Sequence, residues 1–191
     1  QSGTWGDTTN TNLELIAEGL SFGTEGITTN ADTHTSTVAD GATDPARSMF
    51  IKYTGTLDSA CTITIAPNTL SRVHFIENGT SGSQNIIIKQ GSGATITIPP
   101  GDTKVVYLDG AGSGAAVVDA FASLSIGALT QDGGAVFNEA SADVDFRVES
   151  NGNANMIFVD GGNDHVNIGT ATDLGAVLNV ASGSNARGIN L

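Results

Sequence analysis

The sequence has few of the residues on which several common kinds of protein depend. Of its 191 residues only 14% are charged and 5% are aromatic, and four are proline. The single cysteine, Cys61, excludes an internal disulfide framework and a zinc cluster built from cysteines. Leu, Glu, Lys and Arg are too scarce for an all-helical protein. No run of about 18 apolar residues is present, so the sequence predicts no membrane-spanning helix.

Basic residues are also scarce. Seven Lys and Arg face 20 Asp and Glu, which gives a net charge of −13 and a pI of about 4.2. A nucleic-acid surface needs a basic stripe that releases counterions from phosphates, and an anionic membrane would repel this chain. We therefore expect no nucleic-acid partner and no membrane partner.

The residues that are abundant favour strands and turns. There are 25 glycines, and 39% of the residues are hydrophobic, many of them β-branched. Residues 27–120 are expected to form a β-sandwich or β-prism, built as a meander of short strands. The predicted strands are Met49 to Tyr53, Cys61 to Ile65, Arg72 to Ile76, Asn85 to Lys89, Thr95 to Ile98 and Lys104 to Leu108.

Residues 1–26 are expected to hold one short helix. Thr11 and Glu14 match a capping box, and Leu13, Ile16 and Leu20 follow at helical spacing. A helix of about ten residues is marginal alone in water, so this one is expected to pack against something.

Residues 121–191 are expected to form a repetitive β-shaft. Small apolar clusters recur roughly every ten residues, separated by polar turns. Each cluster is too small to offset the ordering cost of about 1–2 kcal/mol per residue in a single chain. We therefore predict an obligate, intertwined homotrimer in which these side chains meet along a central axis. The candidates for that trimer core are Phe137, Phe146, Val148, Phe158, Val166 and Ile168.

Several segments resemble tail-fibre-like and appendage structural proteins of marine bacteriophages. In the first half they include Trp5-Gly6, Tyr53-Thr54-Gly55-Thr56 and Val106-Tyr107-Leu108-Asp109-Gly110. In the second half Asp143 to Ser150 and Val166 to Thr170 are similar to the shafts of such fibres.

This resemblance implies a non-enzymatic structural protein of the virion, a trimeric fibre or appendage that supports host attachment. It implies no catalytic, cofactor-binding or metal-binding residues. Its N-terminal region is expected to contact other virion proteins, with Trp5 as the candidate anchor. Because the chain opens at Gln1, we expect a processed or partial product.

Other functions stay open at this point. A β-module could bind a host-surface glycan through the loops 80–84 and 110–114, and a bacterial surface filament or a fibre-borne depolymerase would have a similar composition. Asp160 to Val166 partly matches a calcium-binding glycine-rich repeat, but one short copy is more typical of a hairpin turn. The three histidines lack the spacing of a metal site.

Overall fold

The computed structural model describes residues 2–130, 132, 133, 135, 137, 143–172 and 174–181. The chain is mostly β-structure and divides into two compact units, Gln1–Ile126 and Gly127–Leu191. The predicted boundary lay at residues 120 and 121. The predicted N-terminal segment 1–26 is not separate, because its last five residues are a strand of the first unit.

The first unit contains one α-helix and nine strands in its described residues. The helix is α1 (Ser2–Glu18). The strands are β1 (Phe22–Gly26), β2 (Thr33–Thr37), β3 (Phe50–Thr54), β4 (Cys61–Ala66), β5 (Ser71–Asn78), β6 (Ile86–Lys89), β7 (Ile96–Ile98), β8 (Thr103–Asp109) and β9 (Val117–Asp119). All six of the strands listed from the sequence are therefore present, with ends that differ by a residue or two.

The order in which these strands pair differs from the predicted meander. Sheet A has the order β1-β3-β5-β8-β9, and sheet B has the order β2-β4-β6-β7. From β1 to β6 the chain alternates between the two sheets, and neighbours within each sheet are parallel. Antiparallel pairing begins only with β7, β8 and β9. The prediction of a meander is wrong because a strand-turn pattern does not say whether a turn returns to the same sheet or crosses to another.

One hydrophobic core lies between sheets A and B. Alternate residues of each strand point into it, so the buried pattern has a period of two. Cys61 is fully buried among these residues, where it packs as a small hydrophobe. The largest members are Ile51, Tyr53, Ile63, Ile65, Ile76, Ile86, Ile88, Ile98 and Leu108.

The helix begins earlier than its sequence predicts. The Thr11 hydroxyl donates to the carbonyl of Asp7 at 3.0 Å, so Thr11 lies inside the helix and the predicted capping box is wrong. Thr8 and Thr9 bond in the same way to carbonyls one turn earlier. These internal bonds allow the helix to extend through a threonine-rich segment that looked like its start.

The second unit contains one four-stranded sheet, sheet C, in its described residues. The order is β10 (Phe146–Ser150), β11 (Asn153–Asp160), β12 (His165–Ile168) and β13 (Leu178–Val180). β10, β11 and β12 pair antiparallel, and β13 lies parallel to β12.

Candidate functional site

The register of sheet C places apolar side chains on one face of all four strands. Phe146 pairs with Val159, Val159 with Val166, and Val166 with Leu178. A second row pairs Val148 with Ile157, Ile157 with Ile168, and Ile168 with Val180. Because paired residues point to the same side of a sheet, these side chains share one surface. We call it the open face: Phe146, Val148, Ile157, Val159, Val166, Ile168, Leu178 and Val180.

The open face is largely uncovered within one protomer. Phe146 is 37% exposed and Leu178 is 57% exposed, and the other members range from half-buried to exposed. The ring of Phe137 lies 4.9 Å from that of Phe146 but is itself 63% exposed. A soluble sheet normally buries its apolar face and exposes its polar one, so this surface is typical of an interaction site.

The opposite face of sheet C buries polar residues at its centre. Asn167 and Asn179 are 0% and 3% exposed, and the Asn179 amide donates to Asn167 Oδ1 at 2.7 Å. The same Asn179 amide also lies 2.9 Å from the carbonyl of Ala176, in the segment that joins β12 to β13. Among the described residues the apolar face, by contrast, stays half-buried or exposed.

The structure separates one of the predicted trimer-core residues from the others. Phe146, Val148, Val166 and Ile168 lie on the open face, and Phe137 lies beside it. Phe158 instead pairs with Arg147 and Asn167 on the opposite face and is only 8% exposed. Its neighbours Ile157 and Val159 lie on the open face. Because side chains alternate between the two faces along β11, the sequence pattern could have shown that Phe158 lies opposite these two residues.

Acidic residues gather at the hairpin end of sheet C, where they stabilise turns. Asp145 accepts a hydrogen bond from the amide of Gly161 at 3.2 Å, and Asp160 accepts bonds from the amides of Gly162 and Asn163. The side-chain bond from Asn163, with these backbone bonds, lowers the pKa of Asp160. Among the described residues no group of three or more His, Cys, Asp or Glu is placed to hold a metal ion. The aspartates therefore act on turn conformation here.

A second apolar surface covers the outer side of sheet A. Phe22, Phe50 and Phe75 are paired across three parallel strands, with ring centroids 5.0 Å and 6.3 Å apart. Val73 and Tyr107 are paired beside them and are also exposed. The ion pair of Lys52 with Glu77 at 2.7 Å borders the aromatic row.

Trp5 lies on α1 and is 75% exposed. The end of the helix is tied to the rest of the first unit: Glu18 pairs with Arg47 at 3.3 Å and accepts from the amide of Asp44 at 3.0 Å. The apolar side of this helix was expected to pack against something, but Leu13, Ile16 and Leu20 are 59%, 63% and 71% exposed.

The two loops suggested for glycan binding lie at opposite ends of sheet A. Loop 80–84 follows the end of β5, whereas loop 110–114 follows β8 beside the start of β5, since Ser71 pairs with Asp109. The eight residues of β5 span about 23 Å at 3.3 Å per residue. The fold therefore does not bring these loops together into one site.

A polar network inside the first unit was not found from the sequence. Tyr53 donates to Ser36 Oγ at 3.0 Å, Ser36 donates to Glu25, and Glu25 contacts His34 Nε2 at 2.7 Å. Burial raises the pKa of the Tyr53 hydroxyl, so it remains a hydrogen-bond donor. Ser36 bonds to the carboxylate and not to the histidine, which is the geometry of a structural network and not of a nucleophile beside its base.

Comparisons with protein-family models, with curated protein sequences and with solved structures give no match. Within the described residues no helix is long and apolar enough to cross a membrane.

Proposed function

We propose that this chain is a non-enzymatic structural component of a phage virion, a homotrimeric fibre or appendage protein that supports host attachment. The open face of sheet C carries the proposal that copies assemble. The virion role rests on the resemblance of the sequence segments described above to fibre and appendage proteins. The function is mechanical: a rigid assembly holds other parts of the particle or a distal element in place.

The energetic argument follows from the size of the open face. Fully burying one Val, Leu, Ile or Phe side chain is worth about 1.5–3 kcal/mol. Eight such side chains stand on one face of a single-layer sheet, and Phe158 is the one large apolar side chain buried among the second unit's described residues. Association of copies through this face supplies the core that one protomer lacks.

The charge distribution agrees with assembly through this face. All eight of its members are uncharged, although the chain carries a net charge of −13. The ion pair of Arg147 with Glu149, at 2.6 Å, lies on strand positions that point to the other side of β10. Copies can therefore meet at the open face without bringing unpaired acids together.

The test is the mass of the purified chain by light scattering at two concentrations. We expect a stable species of three times 19.3 kDa. Phe146→Asp places a charge in the open face and should make the trimer dissociate at higher protein concentration than the wild type does. Asn151→Asp adds the same charge in the exposed turn after β10 and should dissociate like the wild type. A folded wild-type monomer at both concentrations, or a Phe146→Asp trimer as stable against dilution as the wild type, would contradict the proposal.

Electron microscopy of the purified assembly separates an appendage from a filament. Discrete particles of one size support a fibre or appendage subunit. Polymers that grow end to end would instead indicate the subunit of a bacterial surface filament.

A further inference from the structure

The exposed side of α1 has the spacing of a coiled-coil seam. Leu13, Ile16 and Leu20 are separated by three and four residues, so they fall at successive a, d and a positions of a heptad. Leu20 follows the helix end by two residues and continues the row. We call these three residues the α1 stripe. The stripe is the most exposed apolar part of the helix after Trp5.

The other side of α1 faces the first unit. Leu15 and Glu18 are half-buried, and Glu18 is held by Arg47. In the same heptad these two residues occupy positions c and f, which point away from the a and d positions. The stripe therefore projects outward from the protomer, and the contact of Glu18 with Arg47 orients it.

The residues that flank the stripe are uncharged. Positions e and g are filled by Gly3, Trp5, Asn10, Asn12, Ala17 and Gly19. The acids Asp7 and Glu14 lie at position b, away from the seam. In a chain with a net charge of −13, like charges oppose contact between copies wherever acids line the contact. This seam instead lets two copies approach without repulsion, which favours another copy of this chain as the occupant.

We propose that α1 is a second self-association element, which packs against α1 of two other copies as a parallel three-helix bundle. Leucine at a with isoleucine at d shifts coiled coils from two strands to three or more. The bundle also supplies the packing that a helix containing Gly3 and Gly6 needs in water. This inference rests on the proposed assembly of copies, and it adds a contact in a different unit from the open face.

The experiment uses cysteine crosslinking of the full chain with a tris-maleimide. The native Cys61 is fully buried, so the introduced thiol is the one that reacts. Leu13→Cys places a thiol in the seam, and Glu14→Cys places one a residue away on the outer side of the helix. Thr9→Cys, at the preceding d position, tests direction, because residue 9 meets residue 9 only in a parallel bundle. Leu13 and Glu14 are both exposed, and circular dichroism confirms that each variant is folded.

We expect Leu13→Cys and Thr9→Cys to give mostly covalent trimers on a denaturing gel, and Glu14→Cys to give almost none. If light scattering shows a trimer but Leu13→Cys crosslinks no more than Glu14→Cys, the α1 inference is overturned and the proposed function stands. Crosslinking at residue 13 without crosslinking at residue 9 would overturn the parallel arrangement. A folded monomer in light scattering would overturn both.

Discussion

His74 is a buried histidine whose protonation state is set by the core of the first unit. It is 1% exposed, and its Nδ1 lies 3.0 Å from the carbonyl of Ser48. Burial, with a smaller contribution from the positive charge of Arg72, lowers the pKa of His74 to about 4. The neutral ring therefore donates from Nδ1 to Ser48 in the folded protein.

This shift predicts a loss of stability in mild acid. Between about pH 6.5 and pH 4 the unfolded chain binds a proton at this position and the folded chain does not, so the free energy of unfolding falls as the pH falls. At about 1.4 kcal/mol per pKa unit, the loss is about 3 kcal/mol and levels off below pH 4. Urea unfolding across this range measures it.

His74→Gln should flatten the pH dependence in this window, because a glutamine side chain does not titrate there. An unchanged slope in His74→Gln would show that another group controls the acid response. The backbone amides of Ala116 and Ala111 lower the pKa of Asp109, and the amide of Phe121 together with Lys104 lowers the pKa of Asp119, so the effects of these aspartates belong to a more acidic window.

Asn78 shows how a sequence motif can be explained by local structure. Its amide donates to the carbonyls of Gln84 and Ile98, both at 3.0 Å, and its side-chain oxygen accepts from the amide and hydroxyl of Thr80. The residue is fully buried, so the Asn78-Gly79-Thr80 segment, which has the form of a glycosylation sequon, acts as a turn.

At the scale of elements, two connections that run from sheet A to sheet B approach each other closely. Gly82 has a φ of +98°, and a Cβ there would lie 1.9 Å from the carbonyl oxygen of Leu57. The neighbouring Ser81 accepts from the Leu57 amide at 3.0 Å, and its own amide donates to Gly55. This contact connects the segment after β3 with the segment after β5.

Gly82→Ala should therefore lower the free energy of unfolding by more than about 2 kcal/mol, because both the backbone angle and the space exclude a side chain. Chemical denaturation monitors the change. Gly114→Ala is the matched control, since a Cβ at that position meets no atom within 4 Å and the residue has no positive φ. Equal stability in the two variants would show that the loop can move away from Leu57.

Local sequence patterns predicted the strands more accurately than they predicted the start of the helix. Six strands were recognised where β-branched residues alternated between two turns, and those features are local. At the start of α1 the Thr11 hydroxyl bonds inside the helix to the carbonyl of Asp7, where the pattern suggested a cap.

At the scale of the whole molecule, the net charge opposes the assembly that the apolar surfaces favour. Three copies would bring together three times the charge of −13. Ions screen this repulsion over a Debye length of about 10 Å at 0.1 M salt, whereas burial of apolar surface does not depend on charge.

Added sodium chloride should consequently strengthen self-association. Sedimentation velocity at low and high ionic strength measures the protein concentration at which the trimer dissociates. We expect that concentration to fall as salt rises. Weaker association in high salt would indicate that ion pairs hold the copies together, which is not expected of the uncharged open face and α1 stripe.

The sequence by itself determined the mostly β character, the positions of six of the first-unit strands and the presence of one helix near the start. These features depend on residues close together in the chain, such as the alternation in Cys61 to Ile65 and Gly19 just beyond the helix end. The tertiary structure alone decided that successive strands enter different sheets and that Phe158 faces away from Phe146. Strand pairing and register depend on contacts between distant segments, and a shift of one residue moves a side chain to the opposite face of a sheet. A pattern of apolar residues therefore predicts that a strand has an apolar face, whereas the packing of distant segments determines whether that face is buried or exposed.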